Sequence, residues 1–300
     1  MSFQIKQIQN SKSNLKIVEI FNETSSAKIV LNQGASLQEL TLNSVPIIQD
    51  LYPLTYEDTY ASSILFPFAS RIEDGKYSFE NIAYQTEINE LERNNSLHGF
   101  VHNKEFTIVA QQLTSDTASI VVEYIETKHT KGFPFTYKIQ LTYILNNDLL
   151  SLHVCVVNTS TKSFPFTIGW HPYFTSADLY TSTLKFDSDT KVLFDNGLIT
   201  LDTEMYNSNA EIKINDKNLD DCFFLNSNTI EFDTPDYTLE LKSNSESSFL
   251  QVYTPPKENV IAIEPTTGIS NSFNNKIGLK TLAPNQEFKI AWQLQITNLN

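Results

Sequence analysis

Apolar and polar residues alternate with strict period two over long stretches of this 300-residue chain. Phe135, Tyr137, Ile139, Leu141, Tyr143 and Leu145 form one such series, and Phe288, Ile290, Trp292, Leu294 and Ile296 form another. Leu150, Leu152, Val154 and Val156 resume the alternation after Asn146-Asn147-Asp148. Successive side chains of a strand point to opposite faces, so this period predicts half-buried antiparallel strands. Shorter segments rich in β-branched and aromatic residues, at 29–31, 106–109, 120–124, 237–241 and 249–253, predict more strands. Helical patterning is weak. Residues 55–65 are expected to make one or two turns, with Glu57 and Asp58 favouring a helix start and Pro67 preventing a longer one. The expected fold class is all-β, a large antiparallel sandwich in preference to a barrel.

Turn chemistry agrees. Glycine numbers only 8, while asparagine is plentiful, so left-handed turn positions must fall on Asn and Asp. Asn94-Asn95, Asn146-Asn147 and Asn274-Asn275 are expected turns of this kind. No fixed repeat and no linker-like stretch divides the chain, and one domain over 1–300 is expected.

Composition then narrows the function. With 20 Phe and 13 Tyr the chain can build a substantial core. Its net charge of −14 repels nucleic-acid backbones and anionic membranes, and no Lys/Arg cluster offsets this. No apolar run approaches the roughly 18 residues of a membrane span. Lys6, Lys12 and Lys16 break up the first twenty positions, which do not read as a secretory signal. Two cysteines, Cys155 and Cys222, are too few for a disulfide framework; a cytoplasmic location is expected.

Five polar interruptions of the strand pattern carry the candidate chemistry. In Val260-Ile261-Ala262-Ile263-Glu264-Pro265 an apolar strand runs into a carboxylate, costly to bury unless paired or put to use. The residue is a salt-bridged or turn-capping Glu, or else a general base in a cleft. His171 stands between Trp170 and Pro172-Tyr173-Phe174, where desolvation lowers an imidazole pKa and a carboxylate partner would restore it. His98 precedes Gly99, which permits close backbone approach; His102 follows shortly. His129 and His153 read as structural. Arg71 follows the apolar segment Phe66-Pro67-Phe68-Ala69-Ser70, and its rigid fork of donors suits a salt bridge or recognition of hydroxyls. Asp220 and Asp221 face opposite sides of an extended segment, so only one can enter a cleft. No phosphate-binding glycine loop and no Cys-x-x-Cys pair is present, and no metal is expected.

In this order the segments resemble the aldose 1-epimerase (galactose mutarotase) family. Residues 67–81, reading PFASRIEDGKYSFEN, are similar to its arginine segment and following hairpin. Leu97-His98-Gly99, Trp170-His171-Pro172-Tyr173-Phe174, Asp220-x-x-Phe223 and Ile263-Glu264-Pro265 then follow, and Gly34-Ala35-Ser36-Leu37 resembles the first sheet. The likeness covers about residues 30–296. It implies a galactose mutarotase-like supersandwich with a shallow sugar cleft. By the same resemblance Glu264 is the general base that takes the anomeric hydroxyl proton, and His171 the general acid that protonates the ring oxygen. Arg71, His98 and Asp220 then bind the sugar, and Trp170 walls the site. The ring opens, C1–C2 rotates, and closure gives the other anomer of a free hexose such as glucose or galactose. No cofactor is implied, because the oxidation state does not change, and the protein is expected as a monomer or homodimer.

That chemistry needs Glu264 ionised and His171 protonated, so a negative charge is expected beside the imidazole. Two departures bear on the substrate. Ser70 stands where the family usually has Asn, and the run His98-Gly99-Phe100-Val101-His102 also resembles a hexose-6-phosphate mutarotase branch that commonly carries arginine at the position of His102. A basic pocket of Arg71, Arg93 and Lys104 would favour the phosphosugar; a non-catalytic carbohydrate-binding protein would not need the acid–base pair.

Overall fold

The computed structural model describes residues 2–10, 14–206, 211–215, 218–245 and 248–300. Three antiparallel sheets dominate them. The largest has nine strands and is built around the period-two series: Thr107–Leu113, Ala118–Glu126, Tyr137–Leu145, Leu149–Asn158, Glu287–Leu299, Tyr237–Ser243, Thr229–Asp233, Thr183–Phe186 and Ile212–Lys213, in that spatial order. Tyr137, Ile139, Leu141, Tyr143 and Leu145 are each wholly buried, while the residues between them face partly outward. The alternation was therefore a true record of which face meets the core. A five-stranded meander from Gln4–Asn10 to Val45–Ile48 forms a second sheet, most of it in strands whose periodicity is too short to read beforehand.

The third sheet, of eight strands, carries the candidate chemistry. Its centre is Val260–Thr266, paired with Ser248–Tyr253 on one side and with Gly169–Trp170 and Tyr173–Thr175 on the other. All seven residues of Val260–Thr266 are buried, which explains why its sequence shows a continuous apolar run rather than alternation. Its two faces still differ. Ile261 and Ile263 belong to the main core, whereas Val260 and Ala262 pack against Leu51 and Tyr173 on the opposite face. Glu264 shares the parity of Ala262 and so points away from the main core.

One apolar cluster joins residues from all three sheets, including Val18, Leu141, Trp170, Ile263 and Trp292. Trp170 of the eight-stranded sheet stacks on Trp292 of the nine-stranded sheet, with ring centroids 6.0 Å apart. Such a pair contributes about 0.5–1.5 kcal/mol beyond its area burial and pins the two layers to one another.

Helix is confined to short pieces. The expected turn within 55–65 is Tyr56–Thr59 alone, capped by Thr55 and closed by Asp58 bonding back to the Thr55 backbone. It ends at Tyr60, whose backbone is left-handed (φ 50°). Of the three expected Asn turns, Asn94 takes a left-handed φ of 58°. Asn146 instead closes its turn with its side chain, accepting from the backbone N–H of Asp148 and Leu149. Asn274-Asn275 differs from expectation: both lie in the short helix Ser272–Asn275, and the left-handed residues are its flanks, Asn271 and Lys276.

Gly99 shows why a residue without a side chain is required after His98. Its φ is +72°, and a Cβ there would stand 2.2 Å from the Phe66 carbonyl oxygen. The Phe100 N–H donates to that same oxygen at 2.7 Å, so the two segments cannot move apart without breaking a buried hydrogen bond. Gly99→Ala is expected to lower stability by about 2 kcal/mol or more. A urea midpoint unchanged from wild type would contradict this.

Candidate active site

Adjacent strands of the eight-stranded sheet bring their outward-facing residues into rows. Cys222 lies opposite Gln251, and Gln251 opposite Glu264. Phe223, Leu250, Val252, Ile261 and Ile263 occupy the alternate positions and face the core. Strand parity alone therefore sends Asp220, Cys222, Gln251 and Glu264 to one side, where they line a cleft of about 270 Å³. That volume lies just under the roughly 300–1,000 Å³ of drug-binding pockets and suits a compact polar molecule.

The same parity settles the choice between Asp220 and Asp221. Asp220 lines the cleft and accepts from Gln251 Nε2 at 2.7 Å, while Asp221 pairs with Lys191 at 2.7 Å and does not line it. It also corrects the expectation for Trp170. That indole is completely buried on the core side, donates to the Ser62 carbonyl at 3.2 Å, and does not line the cleft. His171, just past the end of the strand Gly169–Trp170, lines the cleft instead, so Trp170 anchors the strand that leads into the imidazole.

His171 is fixed by its backbone, which exchanges hydrogen bonds with Ser62 and Ser63 at 2.7 and 3.1 Å. Its ring stacks on Tyr173, with centroids 5.0 Å apart. Its Nε2 stands 3.4 Å from Glu264 Oε1, and both residues are buried. His98 meets His171 edge-on at 5.1 Å and Tyr60 at 5.0 Å. Four residues that line the cleft without being glycine hold left-handed backbones: Tyr60 (φ 50°), Ser70 (59°), His98 (61°) and Leu198 (57°). Such conformations persist only where surrounding structure enforces them, and they concentrate at functional sites.

The carboxylate expected beside the imidazole is Glu264, and burial acts on both groups. Burial pushes Glu264 well above its ordinary value of 4.5; the nearby Asp220 adds to this and Arg71 opposes it. Burial likewise lowers His171 to about 4 and, with the neighbouring His171, takes His98 well down. Burial thus pushes both members of the pair in the same sense, towards a neutral acid beside a neutral imidazole and away from the ion pair that the chemistry needs. The two forms hold the same single proton and differ only in which atom carries it.

Arg71, His98, His171, Asp220 and Glu264 all line this one cleft. Glu90 is a member that sequence reasoning missed, in a polar run (Glu87 to Arg93) with no period to mark it. Gln251 was missed too, although its alternation with Leu250 and Val252 was legible. Arg71 and Arg93 both converge on Glu90, at 2.8 and 3.3 Å, and Lys104 is held by Glu126 at 3.8 Å and does not line the cleft. Among the described residues no group of three His, Cys, Asp or Glu is placed to hold a metal ion, and no helix is long and apolar enough to cross a membrane.

Three sheets stacked on a common core, with a buried acid–imidazole pair lining a polar cleft, define a galactose mutarotase-like β-sandwich. The chain belongs to the aldose 1-epimerase family, whose model matches residues 16–295. It is 26% identical over 277 residues to protein YihR of Escherichia coli K12, covering 88% of each chain. Among solved structures it is similar to a galactose mutarotase-like protein of Clostridium acetobutylicum, with a TM-score of 0.88 and 23% identity over 99% of both chains. It is also similar to a galactose 1-epimerase of Lactobacillus acidophilus, with a TM-score of 0.82 and 17% identity over 99% of both. At these identities the likeness to the solved structures is one of fold.

The pKa directions carry a stability consequence. Folded Glu264 keeps a proton that the unfolded chain releases near 4.5, so its contribution is complete below that value and is lost as pH rises through the raised folded value. His171 acts in the opposite sense: stability is lost as pH falls from 6.5 towards about 4, because only the unfolded chain is protonated there. Glu264→Gln is therefore expected to remove an alkaline decline in stability that wild type shows. Urea midpoints measured between about pH 5 and 9 that fall in parallel for both proteins would contradict this.

Proposed function

We propose that this protein is an aldose mutarotase, a single domain over 1–300 that interconverts the α and β anomers of a free hexose by acid–base ring opening and closure. The observation that carries the reading is the buried His171 Nε2 to Glu264 Oε1 approach of 3.4 Å at the cleft. A pair one proton apart is what the reaction requires, because one proton must leave the anomeric hydroxyl while another reaches the ring oxygen. In the ion-pair form Glu264 accepts the O1 proton and His171 delivers its own to O5. The C1–O5 bond then breaks and C1 becomes a carbonyl. The protein is left with a protonated Glu264 and a neutral His171. After rotation about C1–C2 the same steps run backwards and yield the other anomer.

The neutral form favoured by burial in the free protein is thus the form that accompanies the open-chain aldehyde. Sugar hydroxyls entering the cleft assist the ion-pair form by supplying hydrogen bonds to the carboxylate. Arg71, His98 and Asp220 are assigned to binding sugar hydroxyls; the Nδ1 atom of His98 is buried without a partner. The phosphosugar alternative gains no support, because the two cleft arginines are already engaged by Glu90 and Lys104 does not line the cleft.

Polarimetry of freshly dissolved α-D-glucose and α-D-galactose is expected to show a faster approach to the same equilibrium rotation when the protein is present. Glu264→Gln and His171→Asn are each expected to cost about 10²–10⁴-fold in kcat while the protein stays folded. Near-wild-type turnover by either variant would remove the acid–base assignment. The pH profile of kcat/KM is expected to be bell-shaped. Its acid limb lies near the His171 value of about 4, where the pair gains a second proton, and its alkaline limb lies well above the ordinary carboxylate range. A profile flat across both limbs would contradict it.

A further inference from the structure

Glu90 is placed at the cleft by the backbone. It forms an antiparallel bridge with Asn95 across the turn at Asn94, and Asn95 to Leu97 pairs with Arg71 to Glu73. This delivers its carboxylate to the Arg71 guanidinium in a two-pronged contact, with Arg71 Nε donating at 2.9 Å and Nη2 at 2.8 Å. Asn95 Nδ2 donates to Glu90 at 3.0 Å and also to the Gly197 carbonyl at 3.0 Å, while Arg93 adds a contact at 3.3 Å. The Arg71 and Glu90 side chains are only 16% and 10% exposed, so solvent screens the pair weakly. Burial works to raise the Glu90 carboxyl, and the Arg71 hydrogen bonds and charge outweigh it, so it remains ionised.

The electrical result bears on ligand choice. Arg71 and Arg93 are the cations of the cleft, and they face Glu90, Asp220 and Asp58 before Glu264 is counted. One carboxylate-matching edge of the Arg71 fork is already filled. The guanidinium has further N–H donors beyond those two, which suit hydroxyl oxygens, while its charge is matched by Glu90. We propose that Glu90 is a specificity-determining residue that reserves the cleft for uncharged sugars, by occupying the Arg71 fork and holding Arg93 so that a carboxylate or phosphate on the ligand finds no free cation. This rests on the reading of the cleft as a sugar site and specifies the charge class of the sugar. Selection of this kind works by penalising the wrong ligand, since an added negative charge meets Glu90 and Asp220 without compensation.

The test compares D-glucose with D-glucuronate, which differ at C6 by a hydroxymethyl against a carboxylate. Binding of both to wild type, Glu90→Gln and Glu90→Asp is measured by calorimetric titration, with polarimetry run in parallel. Wild type is expected to prefer glucose by about tenfold or more, and Glu90→Gln to shift the affinity ratio towards glucuronate by about tenfold or more, a shift that shrinks in high salt. Glu90→Asp keeps the charge and is expected to keep the preference even if both sugars bind more weakly, which separates charge from mere support of Arg71. An equal ratio in wild type and Glu90→Gln, or no binding of either sugar by folded wild type, overturns the proposal. Binding ratios that move as expected without any acceleration of mutarotation would leave charge selection standing and remove the proposed activity instead.

Discussion

The cost of keeping a carboxyl group out of water organises the cleft. Glu264 sits on a strand buried on both faces, where an isolated ionised carboxylate would be severely penalised. The structure answers with an imidazole at 3.4 Å rather than with a committed cation, and burial favours the protonated acid. Arg71 makes its two-pronged contact with Glu90 instead of Glu264. A direct Arg–Glu264 bridge would satisfy the charge and, in doing so, fix the carboxylate in its ionised form. Leaving the acid to an imidazole keeps its proton transferable.

The sheet makes this arrangement reproducible. Glu264, Gln251 and Cys222 occupy one row across three hydrogen-bonded strands, and alternate residues on each strand are locked into the core. Slipping any of these strands by one residue would exchange apolar for polar side chains on both faces at once. Core packing and cleft geometry are therefore the same constraint seen from two sides. Trp170 expresses this most directly, since its burial against Trp292 fixes the end of the strand from which His171 enters the cleft.

Much of this was legible in the chain, and the exceptions have physical causes. Strands that meet the core on one face announced themselves by alternation, as in Tyr137–Leu145 and Glu287–Leu299. Gln4–Asn10 and Leu15–Phe21 did not, being short and mixed in polarity. The ordered motifs located Arg71, His98, His171, Asp220 and Glu264, which do share one cleft. They could not assign Trp170 to the core, because an aromatic beside a site residue reads alike whichever face it takes. Glu90 was invisible because its role comes from a loop folding back on Arg71, a relation that leaves no local pattern. The extent to which burial acts on Glu264 and His171 was not legible either, because depth of burial is a property of the assembled sheet.

The left-handed backbones at Tyr60, Ser70, His98 and Leu198 set limits on how the rim of the cleft can be rewritten. At each position the backbone penalises some substitutions before their chemistry is tried. Asparagine, aspartate and glycine enter such a conformation cheaply, whereas valine, isoleucine and threonine are excluded by their branched Cβ. A mutant library that samples all amino acids there would place its β-branched members at a conformational disadvantage whatever their chemistry. Confined to small polar residues, it would explore new hydrogen-bonding rims on an intact sheet. The routes by which this cleft can acquire a different ligand are accordingly narrow, and they are narrowed by torsion angles rather than by the sugar.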